Sequence, residues 1–181
     1  GKSILHQALT NNNIKIKSIN FPGFKIDRIA SYINHDSFHK TNPLNVEILD
    51  EENININGQK IKLLDNRNPE TQMWKKTDSN YVFETTGKFL TTLKALEHNS
   101  DYFIMCAPSK DETPQYLYNG NHSKYVGEHI ISNSSCTTNC IVPLIKILDE
   151  NYSIENCNFI TIHAATASQN ILDGPHLKKR N

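Results

Sequence analysis

Between Gly1 and Ile33 the hydrophobic period changes twice, and that alternation limits the fold more than any other feature of the chain. Ile4, Leu5, Ala8 and Leu9 recur at helical spacing. After Asn11, Asn12 and Asn13, the run Ile14-Lys15-Ile16-Lys17-Ser18-Ile19-Asn20 alternates apolar and polar with the period of a strand, and Phe21-Pro22-Gly23 stops it. Ile26, Ile29, Ala30 and Ile33 return to the helical period. Helix, strand, helix in this order is the later part of a mononucleotide-binding α/β unit whose first strand would precede Gly1.

The pattern then departs from regular alternation. Val46-Glu47-Ile48, Ile54-Asn55-Ile56 and Lys60 to Leu64 read as strands, and Asn57-Gly58 between the last two is a hairpin signal. Tyr81 to Glu84 predicts a short strand, Thr91 to His98 a helix and Tyr102 to Cys106 a buried strand. Tyr116-Leu117-Tyr118, His129 to Ser132 and Phe159 to His163 predict three more strands. Ile141, Leu144, Ile145 and Leu148 predict an amphipathic helix after Cys140.

Lys and Arg balance Asp and Glu at 19 each, so the charge gives no reason to expect a nucleic-acid or membrane-surface partner. No run approaches the roughly 18 apolar residues of a spanning helix, and no leader pattern opens the chain. A soluble, cytoplasmic protein is expected. Cys106, Cys136, Cys140 and Cys157 show no framework spacing and are expected as reduced thiols, with Cys106 and Cys157 in the core. His35, His39, His98, His122 and His129 are expected mostly as surface or capping residues.

The chemistry-bearing stretch is Ser134-Ser135-Cys136-Thr137-Thr138-Asn139-Cys140. It follows a predicted strand and opens a predicted helix, where unpaired N–H groups and the helix dipole favour a thiolate and can hold a developing oxyanion. His163, at the end of the next predicted strand, is the partner such a thiolate needs. Two other readings stand beside this one. Cys136 is a small buried hydrophobe in the first. In the second, Cys136 and Cys140, four residues apart on one helical face, form a metal pair with His163, although no further ligand cluster stands close in sequence.

This stretch, together with Val142-Pro143-Leu144, His163 to Gln169 and Asp173-Gly174-Pro175, closely resembles phosphorylating glyceraldehyde-3-phosphate dehydrogenase. Collinear matches at Ile19-Asn20, Asp36 to His39, Ile56 to Ile61, Glu84 to Phe89, Ala107 to Asp111 and Gly120 to His122 extend the resemblance over nearly the whole chain. It implies an incomplete doubly wound, Rossmann-type NAD-binding domain at residues 1–135, followed by the start of an α+β catalytic domain at residues 136–181. It also implies an NAD-dependent oxidoreductase of glycolysis, with Cys136 as nucleophile and His163 as base. Ser135, Thr137 and Thr166 match positions that bind substrate or attacking phosphate. Gly1, Asn20, Arg67, Thr86 and Phe89 match positions on the dinucleotide. The implied substrates are glyceraldehyde 3-phosphate and inorganic phosphate, and the implied assembly of a full-length parent is a homotetramer.

Several positions depart from the family pattern. Gly1 matches the third glycine of the phosphate-cradling fingerprint, so the first strand and the two earlier glycines lie outside this sequence. Phe21 stands where the family has an Asp on the adenosine ribose hydroxyls, and a phenyl ring accepts neither hydrogen bond. Cys106 replaces a serine and Asn170 a lysine, and the chain reaches about half the family's length. These departures define a competing expectation, a catalytically silent relative retained for binding or assembly. An erythrose-4-phosphate dehydrogenase would share nearly all the motifs.

Overall fold

The computed structural model describes every residue except 37, 38, 40–42, 70–72, 167, 168 and 170–181. Ser37, Phe38, Ala167, Ser168, Asn170 and Asp173-Gly174-Pro175, which carry part of the resemblance, lie outside the described residues. The chain forms two compact units, Gly1–Asn68 with the segment from Ile162 onward, and Pro69–Thr161.

In the first unit, helix α1 (Lys2–Thr10) leads to strand β1 (Ser18–Asn20) and helix α2 (Ile26–Asn34). Strands β2 (Val46–Ile48), β3 (Asn53–Ile56) and β4 (Gln59–Leu64) follow, and the sheet order is β1-β4-β3-β2. β1 and β4 are parallel, pairing Ser18 with Lys62 and Asn20 with Leu64, while β2, β3 and β4 run antiparallel. Asn57 and Gly58 take φ of 49° and 85°, the paired positive values of a tight hairpin whose twist matches its strands. Ile54, Ile56 and Ile61 are fully buried with Leu5, Ile29, Ile33, Leu44 and Leu63. All but Leu44, which precedes β2, come from the α1, α2 and strand positions whose periodicity marked them as core.

β1 is shorter than its alternation predicts. Ile16 N–H donates to the Gln59 side chain at 3.3 Å, so a side-chain amide takes the place of a backbone partner there. Ladder pairing begins only at Ser18.

The second unit contains helix α3 (Met73–Lys76), strand β5 (Tyr81–Glu84), helix α4 (Thr92–Leu96), strand β6 (Tyr102–Met105), strand β7 (Ile130–Ser132) and helix α5 (Cys136–Tyr152). β5, β6 and β7 form an all-parallel sheet in that order, with Phe83 opposite Ile104 and Ile104 opposite Ile131. Val82, Leu90, Ala95, Phe103 and Met105 make its core. Thr91 caps α4 by accepting from Lys94 N–H at 3.3 Å.

Two predicted strands are not formed. Around Tyr116-Leu117-Tyr118 there is only an isolated bridge between Gln115 and Ser132. The Asn121 side chain accepts from Leu117 N–H at 2.8 Å and donates to Gln115 C=O at 2.9 Å, winding this segment into a loop. Phe159 to His163 has strand period but no ladder among the described residues, and Ile160 and Ile162 are 95% and 97% exposed. Periodicity marks a face that suits a sheet; an adjacent edge is still needed to satisfy the backbone groups.

Candidate active site

The connection from β7 to α5 fixes Cys136. Ser132, fully buried, donates its hydroxyl to Ala107 C=O at 2.7 Å and accepts from Ser134 N–H at 3.0 Å. Ser134 turns through the left-handed region at φ 58°, and Ser135 is the N-cap of α5. The Ser135 hydroxyl accepts from Thr138 N–H at 3.0 Å and lies 2.6 Å from the Thr138 hydroxyl. Cys136 is therefore the first residue of the helix, and it is exposed. The motif that predicted a thiol in the first helical turn is met, and the expectation of a small buried hydrophobe is not.

Asn139 gains a role that its sequence match lacked. Its amide donates to Asn133 C=O at 2.7 Å and Ser135 C=O at 2.9 Å, tying the first turn of α5 to the loop that enters it. Pro143 lies inside the helix, so no N–H is available there to the carbonyl four residues back. Gly120 lets the neighbouring loop approach α5, since a Cβ there would stand 2.9 Å from Val142 Cγ1. Lys146 Nζ donates to Gly120 C=O at 3.3 Å. Thr137, half-buried, occupies the second position of the same turn.

His163 and Thr166 are described with the first unit and Cys136 with the second. The His163 Nδ1–H donates to Ala164 C=O at 2.7 Å, which places the neutral ring's lone pair on Nε2, the form a base requires. Thr166 N–H donates to the Gln169 side chain at 2.7 Å, and its hydroxyl stands 3.4 Å from the same oxygen.

The predicted dinucleotide positions fall at strand and helix ends. In the first unit, Gly1 is the N-cap residue of α1, beside the first-turn N–H groups that suit a phosphate. Asn20, the last residue of β1, exchanges hydrogen bonds with Asn66, donating to its C=O at 2.8 Å and accepting from its N–H at 3.0 Å. Gly23, at φ 85°, donates to Asp65 at 2.7 Å, and a Cβ there would lie 2.5 Å from Arg67 Nη2. Asn20, Gly23 and Arg67 thus gather at the carboxyl end of the parallel β1/β4 pair, the end where open α/β sheets receive ligands. Phe21 packs edge-on to Phe24 at 4.9 Å and beside Tyr32 at 5.5 Å, so its ring is held in an aromatic cluster and offers no acceptor.

In the second unit, the buried Glu84 at the end of β5 accepts from Thr86 N–H, and from Gly87 N–H at 2.9 Å. Sequence reading passed over Glu84 as part of a match, although an acid ending a strand before Thr-Thr-Gly was the available signal. Phe89 packs edge-on to His98 at 4.5 Å, so one side of its ring is committed to the core.

Two expectations about side chains are corrected. His98 is a core residue, 4% exposed, whose Nδ1 accepts from Trp74 Nε1–H at 3.1 Å. Isolated histidines carry no period of their own, and only the packing of Trp74, Phe89 and Phe103 buries this one. Cys157 is exposed, whereas Cys106 is half-buried and burial pushes its thiol up to about 11.

Comparison with known proteins identifies the family. The family model for the glyceraldehyde 3-phosphate dehydrogenase NAD binding domain matches residues 1–92, and that for the C-terminal domain matches residues 135–181. A glyceraldehyde-3-phosphate dehydrogenase of Bacteroides fragilis is 39% identical over 98% of this chain and 54% of its own length. Glyceraldehyde-3-phosphate dehydrogenase A of Escherichia coli is 36% identical over 98% of this chain and 54% of its own. Glyceraldehyde-3-phosphate dehydrogenase 2 of Trichoderma koningii is 36% identical over 98% and 53%. The chain spans about half the length of the curated relatives it matches. With an α/β fold, parallel strand pairing and matches at both domain models, the chain belongs to the glyceraldehyde-3-phosphate dehydrogenase family, whose cofactor is NAD.

Proposed function

We propose that this chain carries the nucleophile and cofactor positions of a phosphorylating glyceraldehyde-3-phosphate dehydrogenase of glycolysis. The observation that carries the reading is Cys136, exposed at the first position of a helix capped by Ser135. An exposed thiol beside first-turn N–H groups is suited to attack an aldehyde carbon, because those groups favour the thiolate and can hold the oxygen as it gains charge. The attack forms a thiohemiacetal on Cys136. His163, as neutral base, takes the hydroxyl proton as the carbon loses hydride. NAD supplies the hydride acceptor. Inorganic phosphate then displaces the Cys136 thiolate from the thioester and leaves as an acyl phosphate, with Ser135, Thr137 and Thr166 receiving the phosphates.

The residues fit a dinucleotide at several points: the N-cap at Gly1, Asn20 and Arg67 at the β1/β4 ends, and Thr86 and Phe89 after β5. Phe21 contributes no hydrogen bond to a ribose. The proposal divides the chain into an NAD-binding domain at residues 1–135 and the start of a catalytic domain at residues 136–181; the family models cover residues 1–92 of the first and, from residue 135 on, the second. No described helix is long and apolar enough to cross a membrane. A cytoplasmic location and a homotetrameric parent complete the proposal. Reduction of NAD is measured with glyceraldehyde 3-phosphate and phosphate, beside a Cys136→Ser variant. Turnover that requires Cys136 supports the reading. Turnover unchanged in the variant overturns it, and NAD binding without any turnover points instead to a silent binding relative.

A further inference from the structure

His6, Asp36 and His39 converge in the first unit. His6 lies on α1 and is 4% exposed; Asp36 and His39 follow α2. One ligand atom from each lies within 4.8 Å of the other two. His39 Nδ1 is 2.7 Å from Asp36 Oδ2, and His6 Nε2 is 3.6 Å from the same oxygen. The two imidazole rings are stacked, 3.9 Å between centroids. The other carboxylate oxygen, Oδ1, faces Lys2 Nζ at 3.8 Å, and that ammonium also donates to His35 C=O and lies over the Tyr32 ring.

His6 Nε2 is the anomaly. It is buried with no hydrogen-bond partner, and a buried polar atom left without one costs stability. A lone pair buried beside a carboxylate and a second imidazole has the chemistry of a metal ligand. We propose that His6, Asp36 and His39 form a zinc site, using two imidazole nitrogens and one carboxylate oxygen, with water in the fourth position. Zinc stands about 2.0–2.2 Å from such atoms, which places tetrahedral ligand atoms about 3.3 Å from one another. The His6 to Asp36 separation is close to that value; the His39 to Asp36 hydrogen bond opens by about 0.6 Å as the metal takes the place of its proton, and the two stacked rings, 16° apart, turn so that both lone pairs meet the ion. The His39 proton moves to Nε2, so both ligands bind as neutral imidazoles. Lys2 opposes the metal charge but engages the oxygen that the metal does not use. A bound ion would pin α1 to the segment after α2, giving the site a structural role.

The test uses the tag-free chain with its exposed thiols alkylated, since Cys136, Cys140 and Cys157 would otherwise take zinc themselves. Zinc is titrated against a chromophoric chelator, and cobalt is used as a spectroscopic substitute. One zinc per chain is expected, with four-coordinate visible bands for cobalt. His6→Gln and His39→Gln are each expected to weaken zinc binding by about 100-fold or more, beyond the range for losing an outer partner of a ligand. His129→Gln, in the other unit, is expected to leave it unchanged. If circular dichroism shows that His6→Gln does not fold, His39→Gln decides alone. Absence of a stoichiometric site in the alkylated chain, or affinity within about threefold of the parent in the folded histidine variants, overturns the proposal.

Discussion

Acidification should destabilise the second unit through one side chain. His98 accepts from Trp74 at Nδ1, so its ring proton is on Nε2, which is buried without a partner. Adding a second proton breaks the Trp74 bond and places a charge against Phe89 and Phe103. Burial accordingly lowers the His98 pKa from 6.5 to about 4. The unfolded chain therefore binds more protons than the folded one between these values. Stability is complete above pH 6.5, falls as pH drops toward 4, and levels off below. Linkage gives a loss of about 0.8 kcal/mol at pH 6 and about 2 kcal/mol at pH 5, relative to pH 8. Trp74 is the only tryptophan of the chain, so its fluorescence during urea unfolding reports this unit selectively. His6, also held below its ordinary value by burial, belongs to the first unit and leaves that signal alone. His98→Leu keeps an apolar side chain in place and cannot titrate, so its Trp74 transition should be nearly independent of pH over this range. A wild-type loss below about 0.5 kcal/mol at pH 5, or an equal loss in His98→Leu, would refute the reasoning.

Three further outcomes follow from the geometry. A thiol reagent at pH 8 should modify Cys136, Cys140 and Cys157 in the folded chain, whereas Cys106, with about one part in a thousand as thiolate, should react only after denaturant is added. Ser135→Ala removes the acceptor for Thr138 N–H and should cost about 1 kcal/mol in chemical unfolding, most of it recovered by Ser135→Asp. Gly23→Ala combines a φ of 85° with a contact of 2.5 Å to Arg67 and should cost at least about 1 kcal/mol in thermal unfolding, while Arg67→Ala in that background should relieve part of the loss.

Residues acting through local conformation were legible in the sequence. Asn57-Gly58 specifies its hairpin because both residues tolerate positive φ. The alternating Ile54 and Ile56 of β3, and Ile61 and Leu63 of β4, specify which face is buried. The place of Cys136 at a helix start was legible for the same reason, since the strand before it and the helix after it are both local signals.

Tertiary structure decided the rest. Whether Phe159 to His163 becomes a strand depends on an edge that its own sequence does not contain, and among the described residues none pairs with it. His98 and Cys157 exchange their expected settings because the burial of an isolated residue is set by what packs on it. His6 meets Asp36 and His39 only because α1 and the end of α2 lie together, some 30 positions apart in the chain. By itself the sequence determined where the chain turns and that Cys136 stands at the start of a helix. The packing of distant segments determined which side chains are buried, which are paired, and which are brought close enough to act together.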